Sequence, residues 1–166
     1  MTALGKIQDK IVSWDDALIK IIDWKDQQEK LVFTNGCFDL MHIGHLDYLS
    51  KAKDLGSKLI IGLNSSESVS RIKGPSRPIN TDESRGQMLA ALEFVDLVVL
   101  FSEDTPLKLI NHIKPNILVK GGDYIKENIV GAKEVEKAGG SVEIINFVNG
   151  YSTTSLVTKI QNLSKF

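Results

Sequence analysis

The sequence predicts an α/β fold, a parallel sheet of five strands with helices on both faces. Two observations predict it. Apolar runs of three to five residues recur along the chain, and segments of helical period separate them. Connections that long are crossovers, which set successive strands parallel and cover both faces of the sheet. No repeat, low-complexity tract or linker divides the chain, so a single domain over 1–166 is expected, with an N-terminal arm and helix (1–29) and a core (31–166).

Residues 14–29 place Trp14, Ala17, Leu18, Ile21 and Ile22 at helical spacing, and Asp15 and Asp16 suit the positive end of the dipole. Leu31-Val32-Phe33-Thr34 reads as a strand stopped by Asn35-Gly36. A helix over 42–55 follows, with Gly56 in position for a left-handed cap. Leu59-Ile60-Ile61-Gly62-Leu63 is a buried strand. The stretch 64–81, rich in Ser and Pro with Arg71, Lys73 and Arg77, reads as a long loop holding a short helix. Thr81 opens a helix over 82–94. Leu97-Val98-Val99-Leu100-Phe101 is a strand, and Thr105-Pro106 starts a helix with Pro at its first position. Strands at 117–119 and 142–145 flank a helix at 128–138, and a last helix runs from about Ser152 to Leu163.

The 166 residues are 42% hydrophobic and 25% charged, which fits a globular chain and excludes disorder. Roughly 69% of the unfolded surface is buried at this size, enough for one core without disulfides. Net charge is −1, so an electrostatic nucleic-acid partner is not expected. Cys37 is the only cysteine, which excludes an internal disulfide and points to a reducing, cytoplasmic setting. Met1 to Lys10 lacks an apolar stretch, and the apolar run at 94–101 is broken by Asp96 and too short to span a bilayer.

Ligands of parallel sheets bind at the carboxyl ends of the strands, where the strand order switches. The loop after the first strand holds two of the chain's three histidines, His42 and His45, with Gly44 between them. At a helix start these positions share a face, so both imidazoles can point where free N–H groups attract an anion. Gly44 lets a ligand approach the backbone. The same pair could cap a helix, fill the core or bind a metal. His112 lies in a different helix, however, and no His/Cys set completes a zinc site. A Walker-type loop and a Gly-x-Gly-x-x-Gly are both lacking. Further along, Gly150-Tyr151-Ser152-Thr153-Thr154 at a helix start is either an ordinary N-cap or a phosphate cradle. Lys120-Gly121-Gly122-Asp123-Tyr124 is either a simple turn or a close backbone approach to a ligand. Arg71, Lys73, Arg77 and Arg85 are either solvated surface or cations at the ligand-binding edge.

Asn35-Gly36-Cys37-Phe38-Asp39 followed by His42-x-Gly44-His45 resembles the signature of the nucleotidyltransferase superfamily. The Lys120–Tyr124 and Ser152–Thr154 blocks resemble others of its cytidylyltransferase-like branch. More narrowly, Arg71-Ile72-Lys73-Gly74-Pro75-Ser76-Arg77-Pro78 and Glu103-Asp104-Thr105-Pro106 resemble the adenylyltransferases acting on D-glycero-β-D-manno-heptose 1-phosphate. The resemblance runs from about residue 14 to the C-terminus. In many such relatives the domain follows a sugar kinase. Glycerol 3-phosphate cytidylyltransferases carry an arginine shortly before Ser-Thr-Thr, where this chain has Phe147-Val148-Asn149.

The resemblance implies a Rossmann-like fold of the His-x-Gly-His type and AMP transfer from ATP to a sugar 1-phosphate, releasing pyrophosphate, for bacterial surface polysaccharide (lipopolysaccharide) synthesis. It gives His42, His45 and Lys73 catalytic roles. It assigns nucleotide binding to Asn35, Gly36, Cys37, Phe38, Gly44, Lys120, Gly121, Asp123, Tyr151, Ser152, Thr153 and Thr154. Asp39, Arg71 and Arg85 would meet the sugar phosphate, and Mg2+ would arrive with ATP, Asp39 helping to hold it. A homodimer and a separate sugar kinase are the implied partners, with no nucleic acid or membrane. The competing readings are a cytidylyltransferase for a polyol phosphate and an ATP-binding sensor without turnover.

Overall fold

The computed structural model describes residues 1–122, 124–148 and 150–163. Six strands form one parallel sheet: β1 (Ile11–Val12), β2 (Leu31–Gly36), β3 (Lys58–Asn64), β4 (Leu97–Phe101), β5 (Ile117–Gly121) and β6 (Ser141–Ile145). Their order is β1-β4-β3-β2-β5-β6, every pair parallel. The chain builds outward on one side of β2, then crosses back to add β5 and β6 on the other. The switch in strand order therefore lies between β2 and β5, with Asn35-Gly36 and Lys120-Gly121 at its carboxyl end.

Alternation along the strands feeds two cores. Leu31, Phe33 and Ile60 face a cluster built with α2 (Trp14–Asp26), α6 (Leu107–Ile113) and α7 (Ala132–Lys137). Val32, Leu59 and Ile61 face the other, built with α3 (Ile43–Lys53) and α5 (Asp82–Ala90). Period-two side chains on a doubly covered sheet explain why the strands read as unbroken apolar runs.

Five strands were expected and a sixth is present. A two-residue strand shows no period, so β1 is invisible in the sequence, yet Ile11 pairs with Val98 at the sheet edge. In the N-terminal segment α1 (Ala3–Gln8) precedes this strand, and Ile7 and Ile11 pack on the second core. The short helix inside the 64–81 stretch is α4 (Ser66–Lys73), capped by Ser65, whose hydroxyl accepts from the Ser68 N–H at 3.2 Å. Thr81 caps α5 in the same way.

Two local expectations need correction. Pro106 occupies the N-cap of α6 rather than its first helical turn. Gly56 has no left-handed backbone, and α3 is capped by Asp54 in a right-handed conformation. Gly56 is required for space instead: a Cβ there would stand 2.6 Å from the Lys30 carbonyl oxygen. The last helix, α8 (Thr153–Leu163), has no buried residue among those described.

Candidate active site

A cleft of about 290 Å³ opens at the carboxyl end of the sheet over the β2–β5 switch point. Asn35, Gly36, Cys37, Phe38 and Asp39 line it from β2 and the loop that follows. His45 and Tyr48 line it from α3, Lys73 from the end of α4, Lys120 and Gly121 from β5, and Thr153 from α8.

Phe38 sets one wall. Its backbone is left-handed (φ 44°), a conformation that costs a bulky residue energy. The gain is a ring that is almost fully buried and meets His45 edge-on, centroids 5.3 Å apart. His42 is the N-cap of α3 in extended conformation, and its carbonyl accepts from the His45 N–H at 2.9 Å. That turn stacks the two imidazoles at 3.8 Å between centroids. Gly44 makes the stacking feasible, because a Cβ there would sit 3.0 Å from the His42 ring and 3.4 Å from the Tyr151 Cβ. The space gained at Gly44 is filled by these side chains, so its part in the site is indirect.

Burial, the neighbouring His42 and the Lys73 ammonium push the His45 pKa down to about 4. Burial also lowers that of His42. Both rings are neutral at pH 7, each with one N–H to donate. Their Nδ1 atoms are buried with no hydrogen-bond partner among the described residues. Tyr48 braces the helix from below: its hydroxyl lies 2.6 Å from Thr34 Oγ1 and donates to the Val119 carbonyl.

Two cations face the same space. Lys73 pairs with no carboxylate among the described residues. Lys120 donates to Asn35 Oδ1, and burial lowers its pKa to about 8. With the N-termini of α3 and α8 adding partial positive charge, the cleft is built for an anion. At α8, Ser152 is an N-cap: its hydroxyl accepts from the Ser155 N–H at 3.0 Å. Thr153 faces the cleft, whereas Thr154 is not in its wall.

Three expected substrate residues are engaged by the protein itself. The Asp39 carboxylate is almost fully buried and bonded to Arg77 Nε at 2.5 Å and to the Ile79 and Asn80 N–H groups. Burial pushes its pKa up, but the N–H groups and Arg77 outweigh that and hold it below the usual carboxylate range. It ties the 77–80 loop to the cleft wall and is not free for a sugar phosphate or a metal. Arg85 has no exposed surface; its guanidinium binds the Cys37 and Asn64 carbonyls and Asp82. It fixes the loop after β2 rather than a ligand. Arg71 stands outside the cleft, paired with Glu67 at 2.8 Å and Asp104 at 2.9 Å. Asp123 lies outside the described residues.

The sequence of the chain matches the Cytidylyltransferase-like family over residues 33–159, a span holding the histidine pair, both lysines and the start of α8. The chain belongs to this family. Among curated relatives, Bifunctional protein HldE of Methylobacillus flagellatus is 48% identical over 152 residues, 92% of this chain and 31% of that protein. HldE of Helicobacter hepaticus is 53% identical over 155 residues, 93% of this chain and 31% of the relative. The chain therefore spans under a third of the length of these relatives. Among solved structures, the lipopolysaccharide core biosynthesis protein of Thermoplasma volcanium superposes with a TM-score of 0.58 at 29% identity, over 75% of this chain and 99% of that one. Pantoate-β-alanine ligase of Francisella tularensis shares the fold (TM-score 0.56, 18% identity, 94% and 79% covered).

Measured against this cytidylyltransferase-like frame, the motif residues mostly converge on one cleft. Tyr124, at the end of the Lys120–Tyr124 block, lines it too, and so do Tyr48 and Phe147, which belong to none of the motifs. Tyr48 is signalled only by its helical spacing from His45. Phe147 carries no local signal, because its position depends on how the chain leaves β6.

Proposed function

We propose that this chain transfers AMP from ATP to a sugar 1-phosphate of the heptose class, releasing pyrophosphate. The observation that carries the reading is the stacked neutral histidine pair at the α3 N-terminus: His45 lines one cleft with Lys73, Lys120 and Thr153 at the start of α8, and His42 stacks on it from just outside the wall. An oxygen of the sugar phosphate attacks the α-phosphorus, and the bond to the bridging oxygen of the β-phosphate breaks. The electron pair leaves with pyrophosphate. The nucleophile is already anionic, so no side chain has to remove a proton. The work is to bring two anions together and stabilise charge on the α-phosphate and leaving group. His42 and His45 donate N–H bonds to the triphosphate, Lys73 neutralises charge that builds during transfer, and Thr153 holds the outer phosphates. Neutral imidazoles suit this role, since their N–H bonds do not require a proton uptake at pH 7.

Magnesium would accompany ATP. The described residues gather no set of three His, Cys, Asp or Glu side chains around a metal position, and Asp39 is engaged by Arg77. The triphosphate, not a protein cage, is its natural ligand. The heptose choice is supported by the Arg71–Pro78 and Glu103–Pro106 segments and by the HldE relatives. A kinase supplying the sugar phosphate would be a separate protein or domain, the working compartment the cytoplasm, and the assembly a dimer. No helix among the described residues is long and apolar enough to cross a membrane.

The test is pyrophosphate release across four nucleoside triphosphates and a panel of sugar and polyol phosphates. Release with ATP and heptose 1-phosphate is expected. Release confined to CTP with glycerol 3-phosphate would replace the reading with the cytidylyl one. Binding of ATP without release for any acceptor would leave a sensor.

A further inference from the structure

Glu103-Asp104-Thr105-Pro106 joins β4 to α6, and none of these residues lines the histidine cleft. Together with Asn128, from the short 3-10 turn after β5, the last three border a second cavity of about 180 Å³. The two cavities are neighbours. Lys120 and Tyr124 line both and form the wall between them.

We propose that this second cavity is the acceptor subsite, taking a sugar ring whose phosphate rests on Lys120 at the boundary with the nucleotide cleft. The inference rests on the adenylyl-transfer reading and deepens it. The chemistry of the lining selects the ligand class. Asp104 offers a carboxylate that only accepts, Thr105 a hydroxyl that accepts and donates, and Asn128 an amide that does both. Such a set matches vicinal hydroxyls. The half-exposed ring of Tyr124 offers an apolar surface for the carbon face of a sugar.

Charge sets the direction. Of the two cavities Asp104 borders only the second, and its carboxylate already holds Arg71 at 2.9 Å, so that side offers a phosphate no free cation among the lining residues. Lys120 attracts it at the inner end. The lysine is largely buried and bonded to the neutral Asn35 amide oxygen, with no carboxylate partner among the described residues. Three donors on an ammonium leave two for an incoming anion. A phosphate there stands beside the nucleotide cleft, where it must be to reach the α-phosphorus. At about 180 Å³ it is the smaller of the two neighbouring cavities, and a single ring suits it better than a nucleotide.

The test uses Thr105→Val, Asn128→Ala and the double variant, both positions being exposed and outside the nucleotide cleft. Melting curves confirm folding. KM for the sugar 1-phosphate is expected to rise about tenfold in the double variant. Calorimetric affinity for ATP in the absence of acceptor should stay within about twofold. An unchanged KM for the acceptor, or an equal loss of ATP affinity, overturns the subsite. Wild-type protein that turns over no sugar 1-phosphate refutes the parent reading and the subsite with it. Wild-type turnover with unaffected variants refutes the subsite alone.

Discussion

Two helix N-termini bring partial positive charge to one cleft, and they are built differently. The start of α3 is anchored: Gly44, Tyr48, Leu49 and Ala52 are buried, and the Tyr48 hydroxyl ties the helix to β2 and β5. The start of α8 is held by a local serine cap, with no buried residue along the helix among those described. The difference teaches a division of labour. The histidine side is rigid before any ligand arrives, which is what transition-state stabilisation demands. The α8 side rests on its local cap, so under the proposed reading its contribution should appear in binding rather than in the chemical step.

The largest effect should come from the anchored side. His45→Ala is expected to lower kcat by roughly 10²-fold or more with little change in melting temperature, as for loss of a preorganised donor. Near-normal turnover by a folded variant would return the histidines to a packing role. Lys73→Ala comes next: a drop in kcat larger than the rise in KM for ATP is expected. An altered KM alone would make Lys73 a ground-state contact.

Lys120 separates function from stability. Its pKa of about 8 in the fold, against 10.5 unperturbed, means that the unfolded chain binds more protons between these values. Wild-type stability should therefore rise with pH through that window, and below about pH 8 the fold carries the full cost of burying the ammonium. Lys120→Met should lower turnover yet stabilise the fold, by on the order of 1–2 kcal/mol at neutral pH. That gain should shrink toward pH 10.5. Denaturant melts at pH 7 and pH 10 read it directly, and destabilisation at both would contradict the assignment.

The smallest effects test α8. Ser152→Ala should cost about 1 kcal/mol of local helix stability, the usual value of an N-cap, with kinetics nearly intact. Thr153→Val, which keeps the side-chain shape, should weaken ATP binding several-fold more than AMP binding, because AMP lacks the outer phosphates. Equal losses for both nucleotides would leave Thr153 without a phosphate role.

Legibility follows the range of the interactions. The histidine pair, Gly44 and the cap at Ser152 act within a turn of their neighbours, so spacing alone placed them. The doubly buried strands were legible for the same reason. Asp39 and Arg85 read as ligand groups in the sequence because the partners that hold them in the fold are far along the chain. Asp39 meets Arg77 and Asn80, and Arg85 meets Cys37 and Asn64. A buried charge looks like an active one until its partners are known. The edge strand β1 failed for lack of length, and Phe147 for lack of any local pattern.

The central claim is transfer of the α-phosphoryl group with its nucleoside. Incubation with heptose 1-phosphate and ATP labelled at either the α- or the γ-phosphorus tests it most directly. The account predicts α-label in a nucleotide sugar and γ-label in pyrophosphate. Label from the γ-position on the sugar, or both labels remaining in ATP, would contradict it.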